Sequence, residues 1–180
     1  ISHLTIKKLI NNFYINKSIG SMIAFKATNP YGYGRVKVEA NYVTSVVEEL
    51  NASFEEKKNN LCNSGVIFCS SKLLFSHIHK ISDKNFKKEK YLPDIFNIFH
   101  SIGKNFTYVL GHENEMLGVN TLQDFNKIDL IYKNIIKEKI INKGVTVDQP
   151  DTVRLSYDTK IKKGTLIEPF VIIKSGVSIK

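Results

Sequence analysis

Arginine is nearly missing from this sequence: of 26 basic residues in 180, only Arg35 and Arg154 are arginine, and the rest are lysine. The formal net charge is nevertheless +9. A surface built to hold phosphates draws on arginine, whose planar fork matches phosphate geometry. The lysines here are scattered and accompanied by many Asn and Ile, so the charge reads as a solvated lysine surface and predicts no nucleic-acid partner. Tryptophan is absent, and cysteine is limited to Cys62 and Cys69, which lie in or beside an apolar, strand-like run. Reduced, buried thiols fit that setting better than a disulfide, and a cytoplasmic location fits reduced thiols. No apolar run approaches the length of a membrane span, which predicts no membrane partner. No basic segment followed by an apolar one stands near Ile1, so no signal peptide is expected.

What is present is enough for a real core. At 180 residues and 42% hydrophobic, the chain is long enough for one domain and part of another. Residues 6–15 read as a helix with Ile6, Leu9, Ile10 and Phe13 on one face. Residues 22–25 read as a strand, and 29–34 as a turn. Residues 35–40 and 42–48 read as two strands, with Val36 and Val38 alternating. The polar stretch 51–60 is expected to be a loop, 65–69 a buried strand, and 71–81 a helix carrying Leu74, Phe75 and Ile78 inward. A further helix begins near Pro93, presents Ile95, Ile98 and Phe99, and ends before Gly103. Residues 106–110 complete the strands. Alternating strands and helices predict a layered α/β domain. Thr121 and Asp124 have capping-box spacing ahead of a long helix that stops before Gly144 and could join two domains. His77 and His79 do not form a metal pair, because residues two apart on a helix do not share a face. Lys84 to Lys90 reads as a solvated loop.

The last segment has another period. Leu155, Ile161, Ile167, Ile173 and Ile179 recur every six residues, and Val171 and Val177 add a second series. Neither helix nor alternating strand gives that spacing, whereas a hexapeptide parallel β-helix does.

Several motifs then stand in order: Pro30-Tyr31-Gly32-Tyr33-Gly34-Arg35, Val46-Val47-Glu48-Glu49, Asn63-Ser64-Gly65-Val66, Tyr91-Leu92-Pro93-Asp94 and Gly118-Val119-Asn120-Thr121, followed by the six-residue tract. Their order and spacing resemble the bifunctional bacterial uridyltransferase/acetyltransferases that make UDP-N-acetylglucosamine. The resemblance implies the C-terminal half of a Rossmann-like nucleotidyltransferase domain over 1–120. It implies a linker helix over 121–144 and the first turns of a left-handed parallel β-helix over 145–180. It also implies an enzyme joining N-acetylglucosamine-1-phosphate to UTP with release of pyrophosphate, for cell-wall synthesis.

By that resemblance Gly34 matches a glycine whose backbone contacts the sugar nucleotide; lacking Cβ, it admits a ligand closely. Glu48 matches a sugar-binding glutamate, able to accept from two hydroxyls. Asn63 matches an asparagine that holds the sugar through its amide, although local sequence reads it equally well as a turn residue. Tyr91 matches a tyrosine beside the sugar pocket. Asn120 matches an asparagine that helps bind Mg²⁺, although local sequence favours helix capping. Glu49 reads as solvated.

The chain departs from the family pattern at Leu50 and Asn51 (Lys and Asp in the family), at Pro93 (Thr) and at Leu122 (Arg). The glycine-rich nucleotide loop, the uracil-binding segment and the main Mg²⁺ aspartate find no counterpart in these residues. The first residue is Ile1 rather than methionine. The expectation is a central piece of such an enzyme, keeping the sugar side and inactive alone. A separately encoded N-terminal half is an expected partner. The alternative is a non-catalytic module that binds a sugar nucleotide or pairs with a subunit.

Overall fold

Strand β1 (Gly20–Lys26) is buried from Gly20 to Phe25 because both of its faces are covered. Successive side chains of a strand point to opposite sides. Met22 and Ala24 pack with Val36, Val43, Val46 and Phe106, and with Ile95, Phe96 and Phe99. Ile23 and Phe25 pack with Leu9, Cys62 and Met116. This computed structural model describes residues 1–84, 88–119 and 121–180. They fall into two compact units, Ile1–Leu117 and Gly118–Lys180.

In the first unit, helix α1 (His3–Asn16) starts where Ser2 accepts the Thr5 N–H at 3.2 Å, and it ends at Lys17, in the left-handed region at φ 48°. Strands β2 (Arg35–Glu39) and β3 (Tyr42–Val47) form a hairpin. The stretch expected to be a loop contains a short helix, α2 (Phe54–Lys57). Ser53 and Glu56 exchange bonds there as a capping box, a local signal in the sequence that the apolar period does not reveal. Strand β4 (Leu61–Cys69) begins four residues earlier than its apolar run, because Asn63 and Ser64 belong to a bulge within it.

Helix α3 (Ser71–His77) turns Leu73 and Leu74 toward the core and leaves Phe75 exposed. Phe75 falls on the outer side of this helix, opposite the expectation, and Ile78 is exposed where the α-helix stops at His77 and tightens into a 3-10 turn over Ile78–Lys80. Helix α4 (Asp94–Ser101) buries Ile95, Phe96 and Phe99; each such side chain contributes about 1.5–3 kcal/mol. Strand β5 (Phe106–Leu110) follows Gly103, whose φ of +70° suits the helix end.

Strands and helices mix along this unit as the alternation predicts, giving the expected α/β class. The five strands close into a ring in the order β1-β4-β2-β3-β5. Only the β1–β5 ladder is parallel; the β1–β4, β2–β3, β2–β4 and β3–β5 ladders are antiparallel. The β2–β3 hairpin is what closes the ring, since Tyr42 and Val43 of β3 reach Thr107 and Phe106 of β5. Cys62 is buried, Cys69 is half-buried, and both are free thiols.

In the second unit, Thr121 and Asp124 form the expected capping box at the start of α5 (Leu122–Ile141). Six two-residue strands follow: β6 (Thr146–Val147), β7 (Arg154–Leu155), β8 (Lys160–Ile161), β9 (Leu166–Ile167), β10 (Ile172–Ile173) and β11 (Ser178–Ile179). They pair in parallel as β6–β9, β7–β10 and β8–β11. Leu155, Ile161, Ile167, Ile173 and Ile179 share one apolar cluster with Ile140, Val145 and Val153. Val171 packs against that cluster, whereas Val177 is exposed. Among the described residues, no helix is long and apolar enough to cross a membrane.

Candidate functional site

Gly34 sits buried at the mouth of β2, where the turn after β1 enters the ring. A Cβ built on it would lie 3.1 Å from Val46 Cγ1 and 3.3 Å from Glu48 Oε1. The carbonyl of Gly34 accepts the backbone N–H of Asn63 at 2.9 Å. Gly34, Glu48 and Asn63, spread over 30 residues of sequence, are therefore neighbours, brought together where β2 lies between β3 and β4.

The Asn63 side chain has a local task. Its Oδ1 accepts the Gly65 N–H at 2.9 Å, and the Ser64 hydroxyl donates to the Ile23 carbonyl at 2.7 Å. These bonds shape the bulge that shifts register between Met22 and Ala24. Gly65 takes φ +78° there, a conformation that favours glycine. The turn reading of Asn63 thus holds for its amide oxygen, and its Nδ2 is left to donate.

Glu48 and Tyr91 line one cleft of about 310 Å³, together with Asn51, Asp94 and Asn97. Burial pushes the Tyr91 phenol up, and the nearby charges of Glu89 and Glu48 and a hydrogen bond with Glu89 push it the same way. Burial also raises the Asp94 carboxyl. Asn51, one of the departures from the family pattern, faces this cleft, while Leu50 is exposed. Pro93 precedes α4 without a side-chain cap, where a threonine hydroxyl would supply one. Asn97 and Asp94 were not singled out as site residues; only the helical spacing from Tyr91 could have indicated that they share its cleft.

Glu49 corrects the solvated reading. Its Oε2 accepts from Arg35 Nη2 at 2.7 Å and from the Gly32 N–H at 3.3 Å, and Lys57 Nζ lies 3.7 Å from Oε1. Burial alone would raise its carboxyl. The Arg35 hydrogen bond and charge, the Gly32 N–H and Lys57 outweigh that and hold it below the usual carboxylate range. Arg35 is 2% exposed, so a surface count of charges could not have found this pair.

Asn120, expected at a magnesium site, lies outside the described residues. Among the described residues, no group of three or more His, Cys, Asp or Glu side chains is arranged to hold a metal ion.

No protein-family model matches the chain. The bifunctional protein GlmU of Rhodopseudomonas palustris is 35% identical over 158 residues, covering 88% of this chain and 35% of that protein. GlmU of Bartonella quintana is 34% identical over 156 residues, covering 87% of this chain and 35% of its own length. This chain is a relative of the bifunctional GlmU proteins. It spans about a third of the length of the GlmU relatives it matches (35% of each). Among solved structures, a nucleoside-diphosphate-sugar pyrophosphorylase from Vibrio cholerae is similar at a TM-score of 0.49 and 16% identity, over 63% of this chain and 47% of that one. A Bacillus anthracis structure titled as a glucose-1-phosphate thymidylyltransferase is similar at a TM-score of 0.45 and 19% identity, over 59% of this chain and 40% of that one.

Proposed function

We propose that Gly34, Glu48, Asn63 and Tyr91 form the sugar-binding side of a uridyltransferase site, and that these 180 residues bind UDP-N-acetylglucosamine without making it. The observation that carries this reading is the meeting of Gly34, Glu48 and Asn63, with a Gly34 Cβ position 3.3 Å from the Glu48 carboxylate. The relationship to GlmU supports it. In this reading Glu48 accepts from two neighbouring hydroxyls of the hexose. Gly34 lets the backbone meet the sugar phosphate. Asn63 Nδ2 donates to the sugar, and the Tyr91 ring closes the cleft.

Uridyl transfer needs more than this. An oxygen of N-acetylglucosamine-1-phosphate attacks the α-phosphorus of UTP, and pyrophosphate leaves. The charge of the phosphates must be neutralised as it does so. By resemblance that task belongs to Mg²⁺, which Asn120 would help to hold, and to a nucleotide loop and a metal-binding aspartate that find no counterpart among these 180 residues. The parallel ladders after α5 fit the opening coils of a left-handed hexapeptide β-helix, with α5 as the helix leading into it. A cytoplasmic location goes with this reading.

Calorimetry with UDP-N-acetylglucosamine, paired with a pyrophosphate-release assay on UTP, N-acetylglucosamine-1-phosphate and Mg²⁺, tests the proposal. Binding without turnover is the expected result. Turnover by the folded chain would sink the claim that the nucleotide side lies elsewhere, and absence of binding would sink the sugar site.

A further inference from the structure

The segment from Ala27 to Gly34 is pinned at two points. At its start, Thr28 donates its N–H and its hydroxyl to the two oxygens of Glu113, at 2.8 and 2.6 Å. At its end, the Glu49 carboxylate accepts the Gly32 N–H at 3.3 Å while Arg35 Nη1 donates to the Tyr33 carbonyl. Arg35 Nη2 joins the two bonds at that end by donating to Glu49 at 2.7 Å. The Tyr33 ring meets Phe25 edge-on, 5.1 Å between centroids. The Arg35–Glu49 pair thus fixes the Tyr31–Gly32 and Tyr33–Gly34 peptides ahead of β2. Arg35 follows Gly34 in the chain, and Glu49 follows Glu48.

Burying this pair has a cost that packing does not demand. Arg35 Nε is buried with no hydrogen-bond partner, and a buried unpaired N–H is destabilising. A well-packed apolar residue often replaces a buried ion pair without loss. A guanidinium is needed here only if one group must hold a carbonyl on the loop and a carboxylate in the 3-10 turn after β3 at once.

We infer that Arg35 and Glu49 are positioning residues that set the separation of Gly34 and Glu48 for a sugar nucleotide. This role rests on the proposed site, because neither residue lies in the cleft beside Tyr91. Arg35 and Glu49, the latter in the 3-10 turn after β3, both act on the backbone of the loop, and the ligand meets only their neighbours.

The test compares the wild-type chain with Glu49→Gln and a control, Glu56→Gln. Glu56 is a paired carboxylate outside the loop, bonded to Lys37 and the Ser53 N–H. Amide exchange at Gly32 is followed by NMR in the free proteins, and UDP-N-acetylglucosamine is then titrated. Glu49→Gln is expected to speed Gly32 exchange and to weaken the ligand about tenfold, a factor set by one well-placed contact; Glu56→Gln should do neither. Equal affinity in wild type and Glu49→Gln overturns the positioning role and leaves the proposed site standing. No binding by the wild type overturns the proposed site, and Gly32 exchange then decides alone: faster only in Glu49→Gln supports the clamp, unchanged overturns it. Should Glu49→Gln fail to fold, Arg35→Lys, which keeps the charge and loses the fork, is read by the same two outcomes.

Discussion

Asn63 donates its backbone N–H to the carbonyl of Gly34 across 2.9 Å, and so ties the bulge of β4 to the loop that enters β2. Each strand brings one of the residues that the sequence marked as a sugar contact.

Gly34→Ala is expected to weaken UDP-N-acetylglucosamine more than it weakens the fold. The φ of Gly34 is not in the left-handed region, so alanine meets no backbone strain. The new methyl would press on Val46 at 3.1 Å and Glu48 at 3.3 Å. Overpacking of this kind costs about 1–3 kcal/mol. A urea titration beside a calorimetric titration separates the two effects.

Arg35→Met is expected to be the most destabilising single change in the first unit. It leaves the Glu49 carboxylate, 14% exposed, without its main partner. Breaking a buried pair by removing one member costs about 3–5 kcal/mol. The double variant Arg35→Met, Glu49→Leu should recover most of that loss in the same urea titration.

Acid should loosen the first unit through Glu56. The Lys37 hydrogen bond, then those from Ser53, hold its carboxyl down at about 2, against 4.5 for a free glutamate. Its folded form is the weaker proton binder, so its contribution is complete above the unfolded value and fades as pH falls from about 4.5 toward 2. Glu49 and Glu115, both held below the usual range, act in the same direction. Urea midpoints measured across that window should fall with pH, and Glu56→Gln should flatten the slope.

In the second unit, the two series of aliphatic residues should respond differently. Ile167 and Ile173 are buried at 3% and 7% exposure, whereas Val177 is 42% exposed. Truncating either isoleucine to alanine should cost about 2–5 kcal/mol. Val177→Ala should change stability by less than about 0.5 kcal/mol. Thermal melts of the three variants check the ordering.

The elements whose signal is local were legible in the sequence. The five strands of the ring, the α5 capping box and the inward series from Leu155 to Ile179 all follow from period and spacing. The closing of the ring was not legible, because it depends on Tyr42 and Val43 reaching β5, a contact over 60 residues of sequence. Helix α3 was read as one turn too long because the inward count to Ile78 assumed that α-geometry continued past His77. Within the candidate site, Gly34, Glu48 and Tyr91 were singled out by motif, and their proximity became visible only with the strands in place. Glu49 escaped because nothing adjacent to it in sequence shows that a buried guanidinium waits 14 residues upstream.

The most direct test is an NMR titration of the ¹⁵N-labelled chain with UDP-N-acetylglucosamine. The account predicts saturable shifts at the amides of Gly34, Glu48, Asn63 and Tyr91, with the amides of Ile167 and Ile173 unmoved. Shifts confined to other residues, or none at millimolar ligand, would contradict it.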